Sequence, residues 1–200
     1  MSRTGVHVLE VIDAACDDAL AQRIVALAAR LRAAGARVSA LCHHDLPAAA
    51  VLRATGLDVL DAPLDDAPRW RTVQIASAWI AQQSVDVLHA HGGGAHALCA
   101  LVGAITERPV LASIRGPAIP MLDLEAHRLG PWSHIAVEDD AAWRQAATLG
   151  IARPRIVRVD ADPCAGVDVL LKLARSREAD GAAVLSHPSA AVLPAEGSRR

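Results

Sequence analysis

The sequence predicts an α/β domain with a doubly wound parallel sheet, helices covering both faces. Three observations carry this reading. Short β-rich runs alternate with longer Ala- and Leu-rich segments over residues 1–178. Several of the short runs are apolar on both faces, as strands covered on both sides must be. Glycine stands just after several of the helical segments, where it ends a helix.

VHVLEVI, Val6 to Ile12, is the first strand. A helix follows over 18–34, because Leu20, Ile24, Leu27, Ala28 and Leu31 return to one face at helical spacing. Gly35 ends it, and ARVSALC, 36–42, is the second strand. A short helix at 47–54 and a strand at 57–61 come next. Residues 67–83 form an amphipathic helix with Trp70, Val73, Ile75, Trp79 and Ile80 on its apolar side. VDVLHAH, 85–91, is a strand that runs into three glycines, and a small-residue helix covers 95–105. PVLASIR, 109–115, is stopped by Gly116 and Pro117. The remaining expectations are a helix at 119–129 and a strand at 134–138. A helix capped by Asp139 or Asp140 then runs to Leu149, followed by a strand at 155–160 and a helix at 166–178. Residues 179–200 turn to Ala, Ser, Pro and Gly without sustained period and read as a flexible tail.

Composition narrows the function. The chain has 200 residues and a formal charge of −2, so nothing in the balance calls for nucleic acid. Charge or glycine breaks every apolar stretch well short of the ~20 residues a spanning helix needs. The N-terminus runs straight into a strand, without the apolar segment and cleavage site of a secretory signal, which points to the cytoplasm. Cys16, Cys42, Cys99 and Cys164 are far apart, so they read as buried apolar fillers and not as a zinc site.

In doubly wound sheets, ligands sit outside the carboxyl ends of the strands. That rule selects the loops 13–18, 43–47, 91–96, 115–120 and 138–141. The densest chemistry is DVLHAHGGG, Asp86 to Gly94. His89 and His91 fall on one face of a strand, by its period of two. The glycines Gly92, Gly93 and Gly94 follow at a helix start, which suits an anion or a sugar, or serves only as a tight turn. His-x-His at a strand end, with His96 as a further ligand, also opens metal-dependent amidohydrolase sequences. Those need a barrel of ~250 residues and later ligands that this chain does not supply. Arg115 ends a strand beside a Gly-Pro turn and can clamp a phosphate or carboxylate, or stand as a surface arginine. Glu138 can accept a hydrogen bond in the cleft. The first loop, DAACDD, has no glycine, which argues against NAD or FAD held in the usual manner. No P-loop and no G-x-S-x-G elbow occurs.

The order of these segments resembles the N-terminal domain of family 4 glycosyltransferases of the GT-B fold. The likeness is carried by QRIVALAARLRAAGARVSALC (22–42), VDVLHAHGGGAHALCALVGAITERPVLASIRG (85–116) and SHIAVEDDAAWRQAATLGIARPRIVRVDADPCAGVD (133–168). The resemblance implies a Rossmann-like, acceptor-binding half of an enzyme that moves a sugar from a nucleotide-sugar to a glycan or lipid acceptor, as in polysaccharide biosynthesis. It implies no metal and no cofactor, the nucleotide-sugar being a co-substrate held by a separate donor domain. It places substrate binding at Asp13, His89, His91, Gly92, Gly93, Arg115, Gly116 and Glu138, and it names no catalytic residue. The implied partners are the sugar or glycolipid acceptor, a donor-binding subunit or a second copy, and a peripheral membrane surface. The chain departs from the family in its glycine-free first loop, in Arg115 where a His is usual, and in the lost Asn-Gly within DADPCAGVD. Those losses open an alternative, a non-catalytic glycan-binding or interaction module. A third reading is a small α/β enzyme that uses His89, His91 and Arg115 on a phosphorylated substrate.

Overall fold

Seven parallel strands form one sheet in the order β3-β2-β1-β4-β5-β6-β7. The computed structural model describes residues 5–14, 16–64, 67–120, 123, 132–159 and 164–185, with side chains of 166–176 in the last segment. The strands are β1 (His7–Ile12), β2 (Arg37–Cys42), β3 (Asp58–Asp61), β4 (Val87–His91), β5 (Val110–Ile114), β6 (His134–Val137) and β7 (Ile156–Arg158). The helices are α1 (Asp18–Ala33), α2 (Pro47–Ala54), α3 (Trp70–Gln83), α4 (Gly93–Thr106), α5 (Asp140–Thr148) and α6 (Cys164–Leu185). Every expected strand is present, and the doubly wound sheet is the predicted one.

The winding follows from alternation along the strands. Val8 and Ile12 of β1, with Val38 and Ala40 of β2, face a core closed by Leu20, Ile24, Leu27 and Leu31 of α1, by Leu52 of α2 and by Leu170 of α6. Leu9 and Val11 face the opposite core, built with Val73 and Ile80 of α3, Leu98 and Val102 of α4 and Ala142 of α5. So α1, α2 and α6 cover one face, and α3, α4 and α5 the other. Two helices start at a capping aspartate in the loop just before them. Asp17 caps α1 by accepting from the Leu20 N–H at 2.7 Å. Of the two aspartates expected to cap α5, Asp139 does so, accepting from Ala141 N–H at 2.6 Å.

Three expectations shift. Trp70 and Ile75 of α3 are 66% and 40% exposed, because Thr72, Val73, Ala76 and Ile80 make the buried face instead. Ile75 stands two residues from Val73, roughly 200° around the helix. The last helix begins at Cys164 and continues to Leu185, past the expected end at 178. The helix expected at 119–129 falls largely outside the described residues, as do residues 186–200. Ile119 and Pro120 are not helical, and Asp123 is. Among the described residues no helix is long and apolar enough to cross a membrane.

Candidate functional site

The strand order reverses between β1 and β4, which pair with each other in register from Val8 with Val87 to Ile12 with His91. From β1 the chain winds outward through β2 and β3, and from β4 through β5, β6 and β7. The loops leaving β1 and β4 therefore part in opposite directions and open a crevice at their carboxyl ends. Asp13 and Gly92 stand on its two lips.

Asp13 fills the place that the sequence offers to an anion. Its Oδ2 accepts from the Gly94 N–H at 2.8 Å, at the start of α4, and its Oδ1 accepts from the Ala14 N–H. Gly92 has φ of +96°, and a Cβ there would lie 2.9 Å from the Asp13 Cβ. The glycine is needed for both the left-handed turn and the close approach. At the end of the same loop, Asp17 occupies the start of α1 in the same way. Both helix N-termini at the crevice thus hold carboxylates of the chain itself. A phosphate brought to either would meet like charge where the helix dipole would otherwise attract it.

Beneath the lips lies a buried polar cluster. His89 and His91 do share a face of β4, and Glu10 of β1 stands between them, with no exposed surface. The Glu10 Oε2 lies 2.7 Å from the His91 Nε2, in a hydrogen bond. It lies 2.8 Å from the His89 Nδ1, but that nitrogen is not aimed at it, so this contact is electrostatic. The His89 Nε2 meets the Ser113 Oγ of β5 at 2.7 Å. Burial pushes the Glu10 carboxyl up, but His89 and His91 outweigh it and bring the group down to about 2. Burial, and then His89, push the His91 imidazole down to about 4, against the pull of Glu10. At neutral pH the carboxyl is ionised and His91 is neutral.

Sequence reasoning missed Glu10 and Ser113. The signal for Glu10 was present: it is the one charged residue inside VHVLEVI, and alternation puts it on the face of Val8 and Ile12. Only the pairing of Glu10 with His89 across the sheet gives it a role.

Two clefts reach the cluster. One, of about 60 Å³, runs between α1 and the sheet and is lined by His89, His91, Arg115 and Glu138. The other, of about 380 Å³, is bounded by Asp13, His91, Gly92, Gly93 and Arg115. Leu20, His91, Ser113 and Arg115 border both. Seven of the eight expected site residues are therefore brought together, and Gly116 is not. With φ of +91°, it turns the chain after Arg115. Arg115 is about a third exposed and only 3.5 Å from the Asp17 Oδ1, a loose contact that leaves its guanidinium available. Glu138 faces the narrow cleft as expected, but it is paired with Arg23 at 2.7 Å.

His96 does not join His89 and His91. Its Nδ1 lies 2.6 Å from the Asp123 Oδ1, and its Nε2 lies 3.2 and 3.1 Å from the Ala90 and Ser113 carbonyls. Both nitrogens are engaged, and the ring ties the segment at Asp123 to α4. Cys42 and Cys99 are buried, as expected of fillers, whereas Cys16 is half-buried at the wider cleft. Burial, with Asp17 next, pushes its thiol up to about 11, away from nucleophile chemistry.

No protein-family model and no curated protein sequence matches the chain. Solved structures do match its fold. The Anabaena protein HepE in complex with UDP-glucose superposes with a TM-score of 0.62 at 14% identity, over 77% of this chain and 43% of that one. A Rickettsia africae glycosyltransferase gives 0.61 at 12% identity, over 78% and 43%. The Neisseria meningitidis UDP-GlcNAc 2-epimerase bound to UDP-GlcNAc gives 0.56 at 12%, over 76% and 45%. The chain spans less than half the length of each of these. The fold is a doubly wound parallel sheet with flanking helices, consistent with a Rossmann-like GT-B domain.

Proposed function

We propose that this chain is the acceptor-binding half of a glycosyltransferase-like protein, moving a sugar from a nucleotide-sugar to a glycan or lipid acceptor. The observation that supports it most is the chemistry of the crevice. Two helix starts that suit phosphate carry Asp13 and Asp17 instead. Carboxylates, imidazoles and a guanidinium remain, which are groups that hydrogen-bond sugar hydroxyls. The likeness in fold to nucleotide-sugar proteins agrees with this assignment. A second domain then supplies the donor site, and catalysis needs both, since alignment of donor and acceptor provides much of the rate.

The competing reading is a non-catalytic binding module. An N-domain without its partner is expected to show an apolar docking patch along the strand carboxyl ends under either reading. Among the described residues, the large exposed apolar side chains are Trp70, Ile75, Ile105 and Leu149. Ile105 and Leu149 stand at the far ends of their helices, and only Trp70 starts a helix on the carboxyl side. These side chains do not separate the two readings, and the chemistry of the crevice is what favours the acceptor half.

Saturation-transfer NMR with simple glycosides tests it. Transfer to the glycosides, lost in Arg115→Ala, is expected. Transfer that is unchanged by Arg115→Ala, or absent for every glycoside, would contradict it.

A further inference from the structure

We infer that Glu10, His89 and His91 form a binding site for one first-row divalent metal ion. The argument rests on the geometry of the cluster and not on the sugar-transfer reading.

A ligand atom from each of the three side chains lies within 4.8 Å of the others, and all three residues are buried. Two atoms in the cluster are buried without a hydrogen-bond partner, the Glu10 Oε1 and the His89 Nδ1. Such orphans are rare in folded proteins and call for an explanation. Their arrangement supplies one. When the His89 Nε2–H donates to the Ser113 Oγ, the Nδ1 lone pair is left beside the Glu10 carboxylate, 2.8 Å from its Oε2. A lone pair against a carboxylate is repulsive unless a proton or a cation lies between them, and the Nδ1 makes no hydrogen bond. The Ser113 hydroxyl is then the outer partner that fixes the ring, in the place that a carboxylate, carbonyl or water usually takes beside a metal-bound histidine.

The dimensions agree. Two donors each about 2.1 Å from an ion and at right angles are about 3 Å apart. The Glu10 oxygen is 2.7 and 2.8 Å from the two histidine nitrogens, so a few tenths of an ångström of opening admits the ion. Two imidazoles and one carboxylate favour zinc, iron, cobalt or nickel over magnesium or calcium. His89 and His91 line the clefts, so positions that the protein leaves open are reachable from the crevice. Of the neighbouring guanidiniums, Arg23 is paired with Glu138 at 2.7 Å, and Arg115 makes only a loose contact with Asp17. A second histidine cluster, His43 and His44 with Asp45, is exposed and serves as the control.

The full chain, stripped with chelator, is titrated with Co²⁺ and followed by its visible absorption. Zn²⁺ is then added to chain labelled with ¹⁵N in its histidines. One equivalent of Co²⁺, displaced by Zn²⁺, is expected, with the ring nitrogens of His89 and His91 shifting in the unmutated protein. Ser113→Ala should weaken the site roughly 10- to 100-fold. The double variant His43→Ala with His44→Ala should keep it. No stoichiometric ion, or shifts confined to His43 and His44, would overturn the assignment. The ring spectra use the native sequence, so a variant that fails to fold does not obscure the answer.

Discussion

The Asp13 carboxylate accepts the Gly94 N–H at 2.8 Å, and so the chain caps α4 with its own anion at the point where β1 and β4 part. Asp13→Ala removes that cap and should cost about 1 kcal/mol. It should also expose the N-terminus of α4 to external anions. Inorganic phosphate, silent against the native chain in a calorimetric titration, should then bind. Equal phosphate affinity in both proteins would mean that Asp13 does not guard the helix.

Gly92 makes that cap possible. Gly92→Ala places a methyl 2.9 Å from the Asp13 Cβ on a backbone with φ of +96°. A loss of about 1–3 kcal/mol is expected. Thermal denaturation should show it, and an unchanged Tm would place the strain elsewhere.

The fold was legible because it rests on repetition. Helical spacing at Leu20, Ile24, Leu27 and Leu31, and two-sided apolar strands such as VLHAH, are local signals. The site was half legible. His89, His91 and Arg115 announce themselves by type and by position at strand ends. Glu10 does not, since its meaning comes from a β4 strand some eighty residues away in sequence. Ser113 was passed over for the same reason. The Gly92–Gly94 loop was legible only in part: it does start a helix, but sequence alone does not show that Asp13, across the crevice, fills its N-terminus. The apolar side of α3 was drawn too wide, because Trp70 and Ile75 count as apolar wherever they point.

The Glu10–His91 pair makes stability depend on acid. His91 is held down at about 4 from an ordinary 6.5, and Glu10 at about 2 from 4.5. In each window between those values the unfolded chain binds more protons than the folded one. Stability therefore rises with pH there. The His91 share is complete above about 6.5 and is lost as pH falls toward 4; the Glu10 share is lost between about 4.5 and 2. Tm of the chelator-treated chain should fall steadily below pH 6.5, and a flat profile from pH 7 to 4.5 would contradict the neutral, buried His91. Glu10→Gln should lower Tm at pH 7, because it weakens the buried hydrogen bond to the neutral His91; a buried group left without its partner costs about 1–3 kcal/mol.

Arg115 contributes to the crevice and little to the fold. Its 3.5 Å contact with Asp17 is long and solvent-exposed, and so adds little to stability. Arg115→Ala should weaken a bound glycoside or anion while leaving Tm nearly unchanged. A large drop in Tm would make Arg115 a structural residue.

The central claim is that this domain receives the acceptor and turns phosphate away. Calorimetric titration of the native chain with UDP-glucose and a GDP-sugar tests it most directly. The account predicts no binding in the micromolar range to either. Micromolar affinity for a nucleotide-sugar would contradict it, and would mean that the crevice between Asp13 and Gly92 accepts the diphosphate after all.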